Sequence, residues 1–119
     1  MKWYLATIVY RIICGDGNHT PQFDEKLRLI EAEDDMHALQ PARIMGDVEE
    51  DTFLNNAQKP VLWKFIDVAE LHPLDNLTDG IEIHSRIAEE ENANGYIKSI
   101  KDRAKYLHEA CLQKTFQMN

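Results

Sequence analysis

Apolar residues in this chain fall into four short runs and two amphipathic ones, which follow one another as β-β-α-β-β-α. The first run, residues 3–13, is rich in aromatic and β-branched side chains, which suit a pleated surface. Its even positions, Tyr4, Ala6, Ile8, Tyr10 and Ile12, are all apolar. Its odd positions, Trp3, Leu5, Thr7, Val9, Arg11 and Ile13, are mostly so. A strand apolar on both sides is central in its sheet, or is covered on one side by another subunit. Residues 14–22 hold two glycines, Asp16, Asn18 and Pro21 and read as a loop. The run 23–32 sets Phe23, Leu27 and Leu29 on one side and Asp24, Lys26 and Arg28 on the other, so the two runs make a hairpin with a polar tip.

Asp34 or Asp35 can cap the first helix, because a short carboxylate satisfies the free N–H groups at a helix start. Met36, Leu39, Ala42 and Met45 then face the core. Pro41 inside the helix removes a backbone hydrogen bond and predicts a kink. Gly46 reads as the stop, and residues 47–56 as a second short helical piece burying Val48, Phe53 and Leu54. The third strand covers 61–71, with Trp63 and Phe65 on one side and Ile66 and Val68 on the other. Residues 81–87 alternate, with Ile81, Ile83, Ser85 and Ile87 inward and Glu82, His84 and Arg86 outward, the pattern of a strand with one wet face. The last helix starts near Asn92, and Ile97, Ile100, Ala104, Leu107 and Cys111 form its buried stripe.

This order predicts an α+β fold: one mainly antiparallel four-stranded sheet with two helices packed on one face, in a single domain over residues 1–119. Residues 28–34 (RLIEAED) resemble residues 86–92 (RIAEEEN), as a duplicated ββα unit would.

Composition narrows the function classes. The chain has 119 residues, 44% hydrophobic and 29% charged, with net charge −8, which is globular and acidic. A negative field repels phosphate backbones and anionic lipid, so neither nucleic acid nor membrane is the expected partner. A basic protein is the more compatible one. Cys14 and Cys111 form no CxxC pair and fit a reducing cytoplasm, with both read as small buried residues. The first ten residues loosely resemble a signal peptide, but Arg11 interrupts them and no small-x-small site follows. A cytoplasmic location is therefore expected.

Candidate chemistry is thin. If Arg11, Lys26, Arg28, Lys64, His84 and Arg86 share the sheet face opposite the helices with Glu82, they form an anion site, since guanidinium forks bind carboxylates and phosphates. The competing reading is a face of cross-strand salt bridges, or a dimer interface. Asp16, Asn18 and His19 in the glycine loop offer a second, weaker candidate, against ordinary turn chemistry. The runs 49–51 (EED) and 89–91 (EEE) sit where charge complements helix ends or water. The five histidines show no HxH or HExxH spacing, and no nucleophile motif occurs. No catalytic residue, metal ligand or cofactor is expected.

The segments WYLA, IVYR, CGDGNHTPQFDE and LRLI within residues 3–30 resemble an uncharacterised bacterial family of the domain-of-unknown-function kind, with short stand-alone members. Residues 63–68 (WKFIDV) and 79–86 (DGIEIHSR) are similar to its second half. The resemblance implies a cytoplasmic bacterial protein without assigned activity. Pro41 stands outside its pattern. The expected function is a non-enzymatic homodimer that binds a partner, because two helices cover one face of a sheet whose first strand is apolar on both. The alternative is a small enzyme or sensor holding an anionic metabolite on the Arg/His face.

Overall fold

A computed structural model describes residues 1–117 and divides the chain into two compact units, Met1–Ser85 and 86–119. The elements are β1 (Lys2–Cys14), β2 (Gln22–Ala32), α1 (Asp35–Val48), β3 (Asp51–Leu54), β4 (Pro60–Leu74) and α2 (Ala93–Gln117). The fold is α+β in ββαββα order. The first unit is a four-stranded sheet in the order β2-β1-β4-β3 with every pairing antiparallel. β1 is central, as its two apolar faces require.

Tyr4, Ala6, Ile8 and Tyr10 of β1, Ile30 and Ala32 of β2, and Ala38 and Ala42 of α1 form the buried core. The helix turns its smallest residues, Ala38, Ala42 and Gly46, onto the sheet four positions apart. This lets its backbone lie close to the strands. Gly46 is the point of closest approach rather than the stop expected from sequence. A methyl group there would overlap the Phe65 ring. The buried Tyr10 hydroxyl donates to the Gly46 carbonyl at 2.8 Å. That carbonyl belongs to the last turn, where carbonyls lack helical partners, so a tyrosine from the sheet caps the helix. The helix runs through Pro41 and on to Val48. Met36 faces solvent instead of the core.

β4 departs from simple alternation. Thr7 pairs with Glu70 and Ile8 with Val68, so Ala69 is an extra residue; Val9 pairs with Asp67 and Tyr10 with Phe65, so Ile66 is another. Each insertion bends the strand and shifts its phase. Trp63, Phe65, Val68 and Leu71 therefore all pack against the core, while Ile66 is exposed. This corrects the expected split of Phe65 from Val68.

Two segments differ from the sequence expectation. Residues 51–54 are strand, not helix, because Asn55 closes a tight hairpin: its Oδ1 accepts from the N–H groups of Ala57 and Lys59, its N–H donates to the Lys59 carbonyl, and Gln58 adopts φ 62°. That turn chemistry overrides the helical spacing of Val48, Phe53 and Leu54. Residues 81–87 keep their alternation but form no strand. A ring contact between His84 and His72, not a backbone ladder, anchors the stretch. The apparent ββα repeat thus reduces to two capped junctions, Asp34 before α1 and Asn92 before α2.

α2 belongs to the second unit. Asn92 accepts from the Gly95 N–H at 3.0 Å and opens it. None of its residues is buried, so Ile97, Ile100 and Leu107 form an exposed stripe rather than a buried one. Periodicity identifies the apolar face of a helix but not what covers it. Cys111 is exposed and Cys14 half-buried. No described helix is long and apolar enough to cross a membrane.

Two predictions follow from α1. Gly46→Ala gains helix propensity of about 0.5–1 kcal/mol but forces Phe65 out of place at about 1–3 kcal/mol, so the urea midpoint should fall. An equal or higher midpoint would show that the helix does not rest on that ring. At the other end, Asp34 Oδ1 accepts from the His37 N–H at 2.9 Å and lies 2.7 Å from His37 Nδ1. The backbone bond from His37 lowers the Asp34 pKa below 3.8, and the side-chain bond to Asp34 raises that of His37 above 6.5. Asp34's contribution is present above pH 3.8 and fades as pH falls through its lowered value. That of His37 is complete below pH 6.5 and fades as pH rises through its raised value. Asp34→Ala should therefore lower the urea midpoint, with the largest loss between those limits. In Asp34→Asn, the His37 titration followed by NMR should move down; an unmoved midpoint would rule the pairing out.

Candidate functional site

The register of β2 on β1 decides where the candidate side chains go. Ala6 pairs with Arg28, Ile8 with Lys26 and Tyr10 with Asp24. Directly paired residues share a face, and these β1 positions face α1. Asp24, Lys26 and Arg28 are accordingly half-buried on the helix side, while Phe23, Leu27 and Leu29 point away from it, 57%, 62% and 44% exposed. The strand buries its charges and exposes its large apolar side chains, the reverse of the sequence expectation.

The inward charges are consumed locally. Arg28 Nη2 donates to Glu49 Oε2 at the end of α1. Lys26 lies 3.9 Å from Asp24 and 4.0 Å from Glu49, with its ammonium 5.0 Å from the centre of the Tyr10 ring. Asp24 accepts from the Trp63 indole at 3.0 Å, and Trp63 stacks on Phe53 at 5.6 Å. Burial first, and the Glu49 charge second, raise the Tyr10 pKa, which keeps its hydroxyl a donor to Gly46. Lys26, Glu49, Asp51, Phe53 and Trp63 line a recess of about 200 Å³. Its one lining cation, Lys26, already faces Asp24 and Glu49, and the neighbouring Arg28 is held by Glu49, so the recess presents no spare guanidinium fork to an anion.

The basic residues predicted to share one face are thus divided. Lys26 and Arg28 lie on the helix side. Arg11 and Lys64 pair directly across β1 and β4 on the opposite face, both exposed and without a hydrogen bond or ion pair among the described residues. His84 stacks on His72, while Glu82 and Arg86 lie in irregular, exposed chain, with Arg86 in the second unit.

The loop candidates are engaged in turn chemistry. Asp16 Oδ1 accepts from the Asn18 N–H at 2.9 Å. His19 Nε2 accepts from the Cys14 N–H at 2.9 Å, and Nδ1 lies 2.9 Å from the Thr20 carbonyl oxygen. These contacts assign the ring proton to Nδ1. Gly15 and Gly17 supply positive φ. The tip is stapled rather than poised.

One constellation escaped the sequence reading. Glu70 and His72, two apart on β4, point to the same side, and the chain brings His84 back onto them. His72 Nε2 lies 2.7 Å and His84 Nε2 3.9 Å from Glu70 Oε2, and the imidazoles stack at 4.2 Å. The glutamate-x-histidine spacing within a strand was the visible half of this cluster. His84, twelve positions further on, was visible only in three dimensions.

Compared with known proteins, residues 3–85 match the family model of a domain of unknown function, DUF4288. No curated protein and no solved structure matches the chain.

Proposed function

The chain belongs to the DUF4288 family, and from the reversed face of β2 we propose that it works as a non-catalytic binding protein that pairs with a second copy of itself. The exposure of Phe23, Leu27 and Leu29 on one side of an edge strand carries this reading. Large exposed apolar side chains gathered on one face of a small protein mark an interaction surface; here Glu25, opposite Val9, separates Phe23 from the two leucines.

Charge favours a second copy as the occupant. On this face Arg11 lies directly opposite Lys64, and like charges across a sheet repel. Glu31 sits at the far end of the same face, paired with Trp3. From Phe23 to Glu31 the strand spans about 26 Å at roughly 3.3 Å per residue. A two-fold axis that runs two such faces antiparallel lays the Arg11–Lys64 end of one copy on the Glu31 end of the other, with Leu27, Leu29 and Val9 between. The patch is self-complementary, as an isologous interface must be. A cytoplasmic location and a basic third partner are compatible with this reading through the acidic net charge.

Sedimentation or light scattering should find a dimer at concentrations on the order of tens of micromolar. Leu27→Glu and Leu29→Arg should each weaken it at least about tenfold, roughly 1.4 kcal/mol. Both side chains are exposed in the monomer, so stability at high dilution should stay within about 0.5 kcal/mol. Arg11→Glu should weaken the dimer and adding Glu31→Arg should restore it. A strict monomer in that range defeats the proposal, as does a dimer indifferent to Leu27 and Leu29.

A further inference from the structure

We propose that Glu70, His72 and His84 form a binding site for one divalent transition-metal ion of the zinc class. The ligand atoms of all three residues lie within 4.8 Å of one another. Tetrahedral zinc holds its nitrogen and oxygen ligands at about 2.0–2.2 Å, which places neighbouring ligand atoms roughly 3.4 Å apart by that geometry. The cluster needs only rotamer adjustments of about an ångström or so to close on an ion.

The donor set selects the ion. Two imidazole nitrogens and one carboxylate oxygen suit zinc, copper, nickel or cobalt, whereas magnesium and calcium take oxygen. Three protein ligands leave a fourth position open for water or an external donor.

Two further observations point the same way. Both Nε2 atoms are directed at one carboxylate oxygen, Glu70 Oε2, from rings stacked at 4.2 Å and inclined by 29°. Each of the three atoms can offer a lone pair to the point between them, the imidazoles through unprotonated Nε2 and Glu70 through its carboxylate. A cation between the three atoms satisfies them together. Beside the cluster, Leu5 pairs directly with His72 and is 4% exposed, which gives the site one apolar wall and leaves its outer side open to water.

The ion would tie residue 84 to strand β4, so binding should be read in the protein as well as in the metal. The chelator-treated full chain is titrated with zinc chloride alone by calorimetry. We expect one ion per chain, no comparable heat with magnesium chloride, and a thermal midpoint that rises with zinc. His72→Ala, His84→Ala and Glu70→Gln should each weaken binding at least about tenfold. These side chains are partly or largely exposed, and circular dichroism of the metal-free variants checks that they fold. In the unaltered chain, NMR of the imidazole protons should shift His72 and His84 on zinc addition and leave His19, His37 and His108 in place. Three results each overturn the proposal: zinc binding that survives His84→Ala undiminished, magnesium bound as well as zinc, or shifts confined to the other three histidines. The ligands share a sheet face with Leu27 and Leu29, through Thr7 and Leu5, so the dimer is measured on chelator-treated chain and the zinc titration on Leu27→Glu, which lets either proposal fail alone.

Discussion

The seat of α1 on β1 is the constraint from which the rest of the first unit follows. Ala38, Ala42 and Gly46 let the helix backbone approach Tyr4, Ala6, Ile8 and Tyr10 closely, and the Tyr10 hydroxyl fixes the last turn through the Gly46 carbonyl. Once the even positions of β1 face the helix, the pleat leaves no choice for β2. A shift of one residue in pairing would move every side chain to the other face. The observed register turns Asp24, Lys26 and Arg28 inward, where Glu49 and Trp63 meet them. Leu27 and Leu29 turn outward as a consequence. An inward-pointing charge also guards an edge strand against indiscriminate pairing, so Asp24, Lys26 and Arg28 protect the edge of β2 as well as neutralising one another inside.

Much of this architecture was legible in the sequence. The length of the first hairpin, a carboxylate cap at Asp34 or Asp35 and β1 as a strand covered on both sides follow from local chemistry; the ββαββα order holds too, but its last two strands are 51–54 and 60–74 and not 61–71 and 81–87. What was not legible depended on neighbours. Alternation in β2 separates leucines from charges but does not reveal which set faces in, and the hydrophobic expectation chose wrongly because Glu49, twenty-one positions away, stabilises Arg28 on the inside. The phase of β4 changes at Ala69 and Ile66, and no residue type there announces a bulge. Gly46 looked like a helix stop because a glycine serving close approach and one serving termination are the same letter. Asn55 does carry a signal: an asparagine whose Oδ1 can close its own turn outweighs the helical spacing of Val48, Phe53 and Leu54 around it.

The candidate site follows the same rule. Lys26 and Arg28 looked like free cations and are neutralised inside. Glu70 and His72 looked like unremarkable surface residues on a strand, yet they share a side at a spacing of two, and the return of the chain at His84 makes them a cluster. The glycine loop spends its polar groups on the backbone nearby, and Glu49 of the first acidic run is taken up by Arg28.

The two faces of the sheet therefore treat charge in opposite ways. Against α1, cations and carboxylates satisfy one another within hydrogen-bonding or ion-pair distance, which rigidifies the unit and offers little to a ligand. On the other face, Arg11 and Lys64 repel across a strand pair and the large side chains of Phe23, Leu27 and Leu29 meet water. An interaction satisfied within the chain contributes to folding, and one left open contributes when something binds. The proposed dimer draws on the second kind: the Arg11–Lys64 pair and the outward side chains of β2.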